Sequence, residues 1–269
     1  MLKRLFSRNN QSLLAEMIGT DFKLRYQGSV LGYLWSLLKP LMLFAILYIV
    51  FTQFLRIGRG VPNYAISLLL GIVLWNFFAE STSMALKSIV ARGSLIRKIS
   101  IPRWTIPVAA ISSAFINMLL NLVVVFVFIF FAKNNALSWS TLFWFPLLLV
   151  ELIIISVATG FFLSALFVKY RDAEHIWDIT KQALFYVTPI IYPLSLVPSE
   201  QMQKLLILNP LAQIIQDARA ITTYSETPQI SHLYMNVFAP IIPLLLIIVA
   251  LIVSAMYFRK QSKHFAEDI

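Results

Sequence analysis

Long runs of apolar residues are the feature that most constrains the fold of this 269-residue chain. A helix that crosses the hydrocarbon core of a bilayer, which is roughly 30 Å thick, needs about 20 apolar residues. Charged residues make up only 13% of the chain, against about 25% in a soluble domain, so most of the surface must face lipid. We therefore predict an all-α integral membrane protein with six transmembrane helices, at Leu31–Leu55, Tyr64–Leu86, Thr105–Ala132, Thr141–Val168, Ala183–Val197 and Val237–Phe258.

The fifth apolar run differs from the others because it is short and rich in proline. Pro189 and Pro193 lie within it, and Pro198 follows it directly. Proline removes a backbone donor and clashes with the preceding turn, so we expect this helix to kink or to end early. The segment 198–236 has a helical pattern interrupted at Pro210. It predicts one or two short helices that are re-entrant or lie along the outer interface.

The distribution of basic residues predicts the orientation, since cytoplasmic segments carry the excess of Lys and Arg. If both termini are cytoplasmic, 16 of the 22 Lys and Arg residues lie inside, Lys39 lies within the first span, and 5 lie outside: Arg56, Arg59, Lys133, Lys204 and Arg219. The net charge of +10 is then a topology signal and a contact for lipid headgroups, and requires no nucleic acid. We expect one permease domain over residues 1–269, divided into an interface helix (1–30), a six-span bundle (31–258) and a cytoplasmic tail (259–269).

The N-terminal segment mixes apolar and charged residues and predicts an amphipathic helix in the inner interface. It ends in a charged and aromatic elbow directly before the first span. We assign this elbow to Asp21, Lys23, Arg25, Tyr26, Gly28 and Gly32. The two glycines are four residues apart, a spacing that allows helices to pack closely.

Two further inner segments carry patterned charge. The segment Lys87–Trp104 has five basic residues, no acidic residue and an apolar face that includes Ile96 and Ile99. It predicts a short amphipathic helix parallel to the membrane that contacts more than water; the alternative is a plain basic loop. The segment Val168–Lys181 mixes basic and acidic residues and is typical of a solvated helix start.

No catalytic chemistry is visible in the sequence. The chain has no cysteine and no glycine-rich phosphate loop, and its three histidines are isolated, so we predict no metal site, no cofactor and no enzyme activity in this chain. Lys39, Glu80 and Glu151 are the ionisable groups inside the spans, and each is a functional hypothesis because charge there is costly. The alternatives are that Lys39 extends to the inner interface and that the acids pair across the bundle.

Four segments occur in an order that resembles a known family. They read DFKLRYQGSVLGYLWSLLKPL, LIRKISIPR, YRDAEHIW and LNPLAQIIQDAR. Together they look like the membrane subunit of bacterial ABC exporters of polysaccharide, including O-antigen, capsular and teichoic acid permeases. The resemblance implies a homodimer in the plasma (inner) membrane that binds two copies of a separate ATPase. That ATPase would bind ATP and Mg²⁺ and would drive export of a lipid-linked glycan.

The resemblance also implies roles for particular residues. Coupling to the ATPase is expected at Arg97, Lys98, Ile99, Pro102, Arg103, Arg171 and Asp172. The family's first and fifth spans line the translocation path, which here would place sugar-stacking aromatics at Tyr33, Trp35, Phe44, Tyr48, Phe51, Phe185, Tyr186 and Tyr192. The alternative for these aromatics is packing against lipid or neighbouring helices.

Two other functions stay open on the sequence. The first keeps the ABC architecture but exports a drug or another small amphiphile, which a mainly aliphatic pore would favour. The second is an ATP-independent channel or membrane enzyme, which predicts a cluster of polar groups inside the membrane and function without an ATPase. Aromatic residues in the first and fifth spans favour the glycan exporter.

Overall fold

The computed structural model describes residues 12, 14–20, 32, 34–54, 56, 61–98, 101–132, 137–223, 227–236 and 238–265. Within these ranges the secondary structure is entirely helical. A helical segment at residues 14–20 precedes ten α-helices in the described part of the chain. They are α1 (Leu34–Tyr48), α2 (Tyr64–Ala91), α3 (Gly93–Lys98), α4 (Thr105–Phe131), α5 (Trp139–Lys169), α6 (Ala173–Val187), α7 (Glu200–Ile207), α8 (Pro210–Thr222), α9 (Ile230–Leu233) and α10 (Ile241–Gln261).

Five helices of the described residues are long and apolar enough to cross a membrane. They are Leu34–Phe51, Tyr64–Ala91, Thr105–Phe131, Phe143–Lys169 and Ile241–Gln261. These helices confirm the first, second, third, fourth and sixth predicted spans to within a few residues. The first of them continues beyond α1 as a π-helical turn at Ile49–Phe54.

The predicted fifth span is wrong in its position. The structure has α6 there, which begins ten residues earlier, at Ala173, and ends at Val187. Its end was expected: Thr188 precedes Pro189 and has an extended backbone with ψ 132°, the conformation that a residue before proline prefers. A helix of 15 residues is only about 22 Å long, so α6 alone does not cross the hydrocarbon core.

The helix α2 forms the centre of the bundle. It packs against α1, α4, α5, α6 and α8, and 72% of its most apolar window is buried, against 6% for the first span. Large side chains on several of its faces, including Leu68, Ile72, Phe77 and Leu86, are almost completely buried. The burial of an apolar helix on several faces explains why α2 lacks a distinct polar side.

A second apolar cluster lies at one end of the bundle. We call this end the cytoplasmic end, because the predicted orientation places it on that side. Ile89 of α2, Ile106 of α4, Val168 of α5 and Phe258 of α10 meet there. Met17 of the N-terminal helical segment is buried against the same cluster. The N-terminal segment is therefore packed onto the ends of the spanning helices.

The chain between α6 and α10 folds back against the bundle. The side chain of Asn209 accepts a hydrogen bond from the backbone N–H of Leu211 (3.1 Å), and Pro210 occupies the first turn of α8, which together start this helix. Most residues of α8 are buried against α5 and α2. These short helices agree with the predicted segment 198–236, whereas their position relative to the membrane stays a prediction.

Candidate functional site

A cleft of about 620 Å³ lies between α1, α2, α4 and α6. Most of its exposed lining is apolar, and we call it the polar cleft because charged and amide side chains also line it. Its polar lining comes from Lys39, Asn76, Glu80, Asn117, Asn121 and Lys181. Polar residues inside a membrane protein cluster where they meet protein partners or a water-filled cavity. The cleft is therefore the main candidate for a substrate-contacting site in the described part of the chain.

Hydrogen bonds hold part of this lining in place. Asn117 Nδ2 donates to Glu80 Oε2 (3.1 Å), and Asn121 Nδ2 donates to the backbone carbonyl of Asn117 (2.8 Å). The Nζ of Lys181 donates to Ser83 Oγ (2.5 Å). Hydrogen bonds therefore join α2 to α4 and α2 to α6 at the wall of the cleft.

Lys39 stands apart from these bonded residues. It lies about one and a half turns into α1 and is exposed in the cleft. It has no ion pair with the described residues. The ion pairs among them are Lys87–Glu174, Lys181–Asp178 and Lys204–Glu200. The sequence predicted a possible role for Lys39 and Glu80 separately; the structure brings them to one cleft. The amides at 76, 117 and 121 were missed, although three asparagines within apolar runs were a usable signal.

The predicted glycan-path aromatics fall into two separate groups. On the first span, the rings of Phe44 and Tyr48 are 5.7 Å apart and both are half-buried against the core. In α6, the ring of Phe185 lies 5.7 Å from Trp75 and 5.4 Å from Tyr186. Part of each group therefore packs inside the protein, as the alternative interpretation expected.

Other members of the predicted path are more accessible. Tyr186 is 60% exposed and Trp35 is 45% exposed, and Trp35 lines the polar cleft. The hydroxyl of Tyr192 donates to the backbone carbonyl of Val187 (3.0 Å), which fixes the turn after α6. Phe51 is half-buried in the π-helical turn, and Tyr33 lies outside the described residues.

The described members of the predicted coupling set lie at the end of the bundle that is predicted to be cytoplasmic. Arg97 of α3 is exposed, as are Arg171 and Asp172 in the turn before α6. The guanidinium of Arg171 lies 5.3 Å from the ring centroid of Phe167. Ile99 and the side chain of Lys98 lie outside the described residues.

Some residues of this segment are committed to the fold itself. Arg103 donates to the backbone carbonyl of Ser262 beyond α10, and the carbonyl of Pro102 accepts from the hydroxyl of Thr105 (2.6 Å). Ile96 and Ile101 pack against the cytoplasmic cluster, so part of the apolar face that was predicted to meet a partner is used internally. The ion pair between Lys87 and Glu174 (2.5 Å) joins α2 to α6 at the same end.

Most of the predicted elbow lies outside the described residues, namely Asp21, Lys23, Arg25, Tyr26 and Gly28. Gly32 is described and has φ 48°, a left-handed conformation that glycine adopts without steric cost. Its carbonyl accepts from the N–H of Trp35 (3.3 Å). Turn geometry is thus a sufficient reason for glycine at this position.

An arginine that the sequence indicated only as an outer charge is buried inside the fold. Arg219 of α8 donates from Nε to the carbonyl of Ser67 (3.1 Å), from Nη1 to that of Pro189 (2.8 Å) and from Nη2 to that of Ile190 (2.6 Å). Burial lowers the pKa of Arg219 to about 10, so its guanidinium is still charged at neutral pH. We name this set of contacts the Arg219 clamp; it joins α8 to α2 and to the end of α6.

Glu151, whose role the sequence left open, faces α8. It interacts with Gln213 and Asp217, while Gln213 Nε2 donates to Asp217 Oδ2 (2.6 Å) and Gln229 Nε2 donates to Asp217 Oδ1 (3.2 Å). Burial raises the pKa of Asp217, and the bonds from these two amides act in the opposite direction. Glu151 therefore meets an amide and a second acid on α8.

Comparisons with known proteins find one family and several relatives. The family model described as "ABC-2 type transporter" matches residues 13–222. The O-antigen export system permease protein RfbA of Klebsiella pneumoniae is 31% identical over 258 residues, covering 95% of this chain and 94% of the relative. The protein of the same name from Myxococcus xanthus is 26% identical, with 96% of each chain covered. The polysialic acid transport protein KpsM of Escherichia coli is 24% identical over 208 residues, 74% of this chain and 76% of the relative.

Proposed function

Because the chain belongs to the ABC-2 type transporter family, we propose that it is the channel-forming membrane subunit of an ATP-driven exporter of lipid-linked polysaccharide. The observation that carries this proposal is similarity over nearly the whole chain to two proteins named O-antigen export permeases. An O-antigen, capsular or teichoic acid type of polymer is the corresponding substrate class. Five long apolar helices and the family make the chain a multi-pass inner-membrane protein, and we propose that both termini are cytoplasmic.

The polar cleft supports a glycan as the exported molecule. Sugar hydroxyls need donors and acceptors, and the amide of Asn76, which has no hydrogen bond with the described residues, supplies both at the cleft wall. Trp35 at the same cleft offers an aromatic face on which a sugar ring can stack without a fixed geometry. A purely aliphatic cavity would fit a small amphiphile better, because it would leave sugar hydroxyls without partners.

The energy for export comes from a partner. Permeases of this family are the membrane subunits of transporters whose ATPase is a separate subunit, and the sequence itself has no phosphate loop. We propose two ATPase copies and a homodimer of this chain. The lightly buried first span supports the homodimer, since a second copy would cover part of its exposed surface and enclose a path between the two chains.

Coupling is proposed at the exposed basic and acidic residues of the cytoplasmic end. Arg97 on α3 and Arg171 with Asp172 before α6 are accessible there. Their elements are joined through α2 and the ion pair between Lys87 and Glu174. A movement of the ATPase against α3 would thus reach both α2 and α6, which line the polar cleft.

A charge reversal at the coupling segment tests this function. In proteoliposomes that contain the chain and its ATPase, the wild type should move lipid-linked glycan across the membrane only with ATP. The double variant Arg97→Glu with Lys98→Glu should lose most ATPase association and at least about tenfold in export, because several charged contacts of about 1 kcal/mol each would turn repulsive. The measurements are co-purification of the ATPase and the export rate.

The matched control reverses a basic pair at the same end of the bundle. Arg259 and Lys260 are adjacent and exposed in the last turn of α10, so Arg259→Glu with Lys260→Glu makes the same change in charge. This control should retain the ATPase and the export activity. Equal losses in both double variants would contradict the coupling site, and ATP-independent export by the wild type would contradict the proposed function.

A further inference from the structure

Lys39 is the starting point because it carries a charge inside a membrane span without a partner among the described residues. It faces the polar cleft from α1, five residues after the helix begins at Leu34. A lysine at this depth is costly unless a counter-charge, water or the interface compensates it. The question is which group in the cleft provides that compensation.

The acidic residue of the cleft does not pair with Lys39. Glu80 accepts a hydrogen bond from Asn117 Nδ2 (3.1 Å), and the described ion pairs do not include a contact between Glu80 and Lys39. Lys181 adds a second ammonium group to the lining, held by Ser83 and by Asp178 (2.8 Å). Because Asp178 already pairs with Lys181, Lys39 is the cation of the cleft that has no ion pair with the described residues, and it favours an anionic ligand.

Neutral donors and acceptors surround these charges. Asn76 projects from α2 into the same cleft and has no hydrogen bond with the described residues. Asn121 of α4 lines the same cleft. An anion with neighbouring hydroxyl groups would therefore find both an ammonium group and free amide capacity in one cavity. The volume of about 620 Å³ lies within the usual range of small-molecule sites, about 300–1,000 Å³.

We propose that this cleft binds a phosphate group, with Lys39 as its main contact and Lys181 as a second cation. Lysine binds phosphate as a compact point charge, and a phosphate supplies the anion that Lys39 lacks. The amide of Asn76 would then contact the sugar or the second phosphate beside it. This inference rests on the proposed function, because the exported molecule of such an exporter is one source of that phosphate.

Such a phosphate has two possible sources, a phosphorylated lipid carrier or a free phosphate ion. A direct binding experiment separates them in the purified complex of the chain and its ATPase. The probe is fluorescently labelled farnesyl diphosphate, a short phosphorylated prenyl lipid. Competition with unlabelled pyrophosphate and with the uncharged lipid farnesol then shows whether the anion, the lipid or both are recognised.

The variants are Lys39→Met, which removes the charge, and Lys39→Arg, which keeps it. Lys39→Met should weaken binding of farnesyl diphosphate by at least about tenfold, because a hydrogen-bonded contact with a charged group is lost. Lys39→Arg should bind within about threefold of the wild type. The control Lys260→Met, an exposed cation at the cytoplasmic end, should bind as the wild type does, which excludes a general effect of surface charge.

Competition then identifies the source. Displacement of the probe by pyrophosphate at concentrations similar to those of unlabelled farnesyl diphosphate would assign the site to the free anion. This result would support a phosphate site, as would the next one. A much weaker effect of pyrophosphate, with farnesol inactive, would assign it to the phosphorylated lipid. Unchanged binding in Lys39→Met, or equal competition by farnesol and farnesyl diphosphate, would overturn the inference.

A second variant protects the test against a folding defect. If Lys39→Met does not elute as a monodisperse complex, Asn76→Ala in the same cleft should still weaken binding by about threefold or more, and wild-type affinity in it would overturn the inference. Export of lipid-linked glycan by the wild type is measured in parallel. ATP-driven export together with unchanged binding in the Lys39 variant would remove the phosphate site alone, whereas a wild type without export would remove the proposed function.

Discussion

Arg219 and Lys39 are two cations within the same helical bundle, and their surroundings differ completely. Arg219 is buried and donates to three backbone carbonyls. Lys39 is exposed in a cleft and has no ion pair among the described residues. Arg219 is hydrogen-bonded to the backbone, as buried polar groups generally are, while a charge without such partners is available to a ligand. The difference separates the structural cation from the one that we assign to substrate.

The same contrast exists between whole helices. The window of α2 is 72% buried and that of the first span is 6% buried, although both are long and apolar. Within a single chain, α2 therefore has its packing partners and the first span has few. The less buried helix is also the one that places Lys39 in the cleft. This agrees with a framework built on α2 and with the proposed translocation path along α1.

The largest expected effect comes from removal of the Arg219 clamp. Arg219→Met would remove the three guanidinium hydrogen bonds to the carbonyls of Ser67, Pro189 and Ile190. Hydrogen bonds from a charged group contribute about 1.5–3 kcal/mol, so we expect a loss of about 3 kcal/mol or more in the free energy of unfolding. Lys39→Met should change it by less than about 0.5 kcal/mol. Thermal unfolding of both variants in detergent measures this difference, and equal stabilities would break the comparison.

A smaller effect is expected from crowding of the same clamp. A Cβ added at Gly71 of α2 would lie 2.6 Å from Nη2 of Arg219, so Gly71→Ala requires a shift of the guanidinium or of the helix, which strains the hydrogen bonds to the carbonyls. Overpacking of this kind costs about 1–3 kcal/mol. Gly19→Ala is the control, since nothing lies within 4 Å of a Cβ there. An unfolding midpoint in Gly71→Ala that matches Gly19→Ala would show that the clamp can shift without cost.

A smaller loss in the free energy of unfolding is expected from a substitution in the cleft itself. Asn117→Ala removes the donor to Glu80 Oε2, and one hydrogen bond to a carboxylate is worth about 1.5 kcal/mol, the low end of the range for charged groups. Asn76→Ala, at a residue without hydrogen bonds to the described residues, is the control for stability and should have little effect. The measurement is again thermal unfolding. A larger loss in Asn76→Ala than in Asn117→Ala would mean that the bonded and the available residues have been assigned the wrong way round.

The smallest effect on stability is expected at the exposed ring of α6. Tyr186 is 60% exposed, so Tyr186→Ala should change the free energy of unfolding by less than about 0.5 kcal/mol and yet slow export. Phe185→Ala should destabilise by about 3 kcal/mol, because its ring packs against Trp75. Stability and export rate are measured on both variants. Normal export by Tyr186→Ala would remove Tyr186 from the glycan path.

The spanning helices could be predicted because their signal is local. Runs such as Tyr64–Leu86 are long and apolar, and the structure has a helix at Tyr64–Ala91. The position of α6 could not be found in this way, since its first half contains Glu174, Asp178 and Lys181 and lacks an apolar run. The proline signal at 189 nevertheless predicted where that helix ends.

The candidate site was predictable only in part, because its residues come from distant parts of the chain. Lys39 was singled out by its charge within an apolar run, but the sequence did not show that Glu80 and Lys181 line the same cleft. The sequence placed Arg219 in an outer segment and did not indicate its burial, because that burial depends on the way α8 folds back onto α2. Contacts between residues more than 100 positions apart follow from packing, and a local pattern carries no information on them.

The most direct test of polysaccharide export is depletion of this protein in its native cell, followed by analysis of the lipid-linked glycans and the surface polymer. We expect long lipid-linked polymer to accumulate on the cytoplasmic side while the same polymer disappears from the cell surface. An unchanged glycolipid pool together with normal surface polymer would contradict polysaccharide export by this protein.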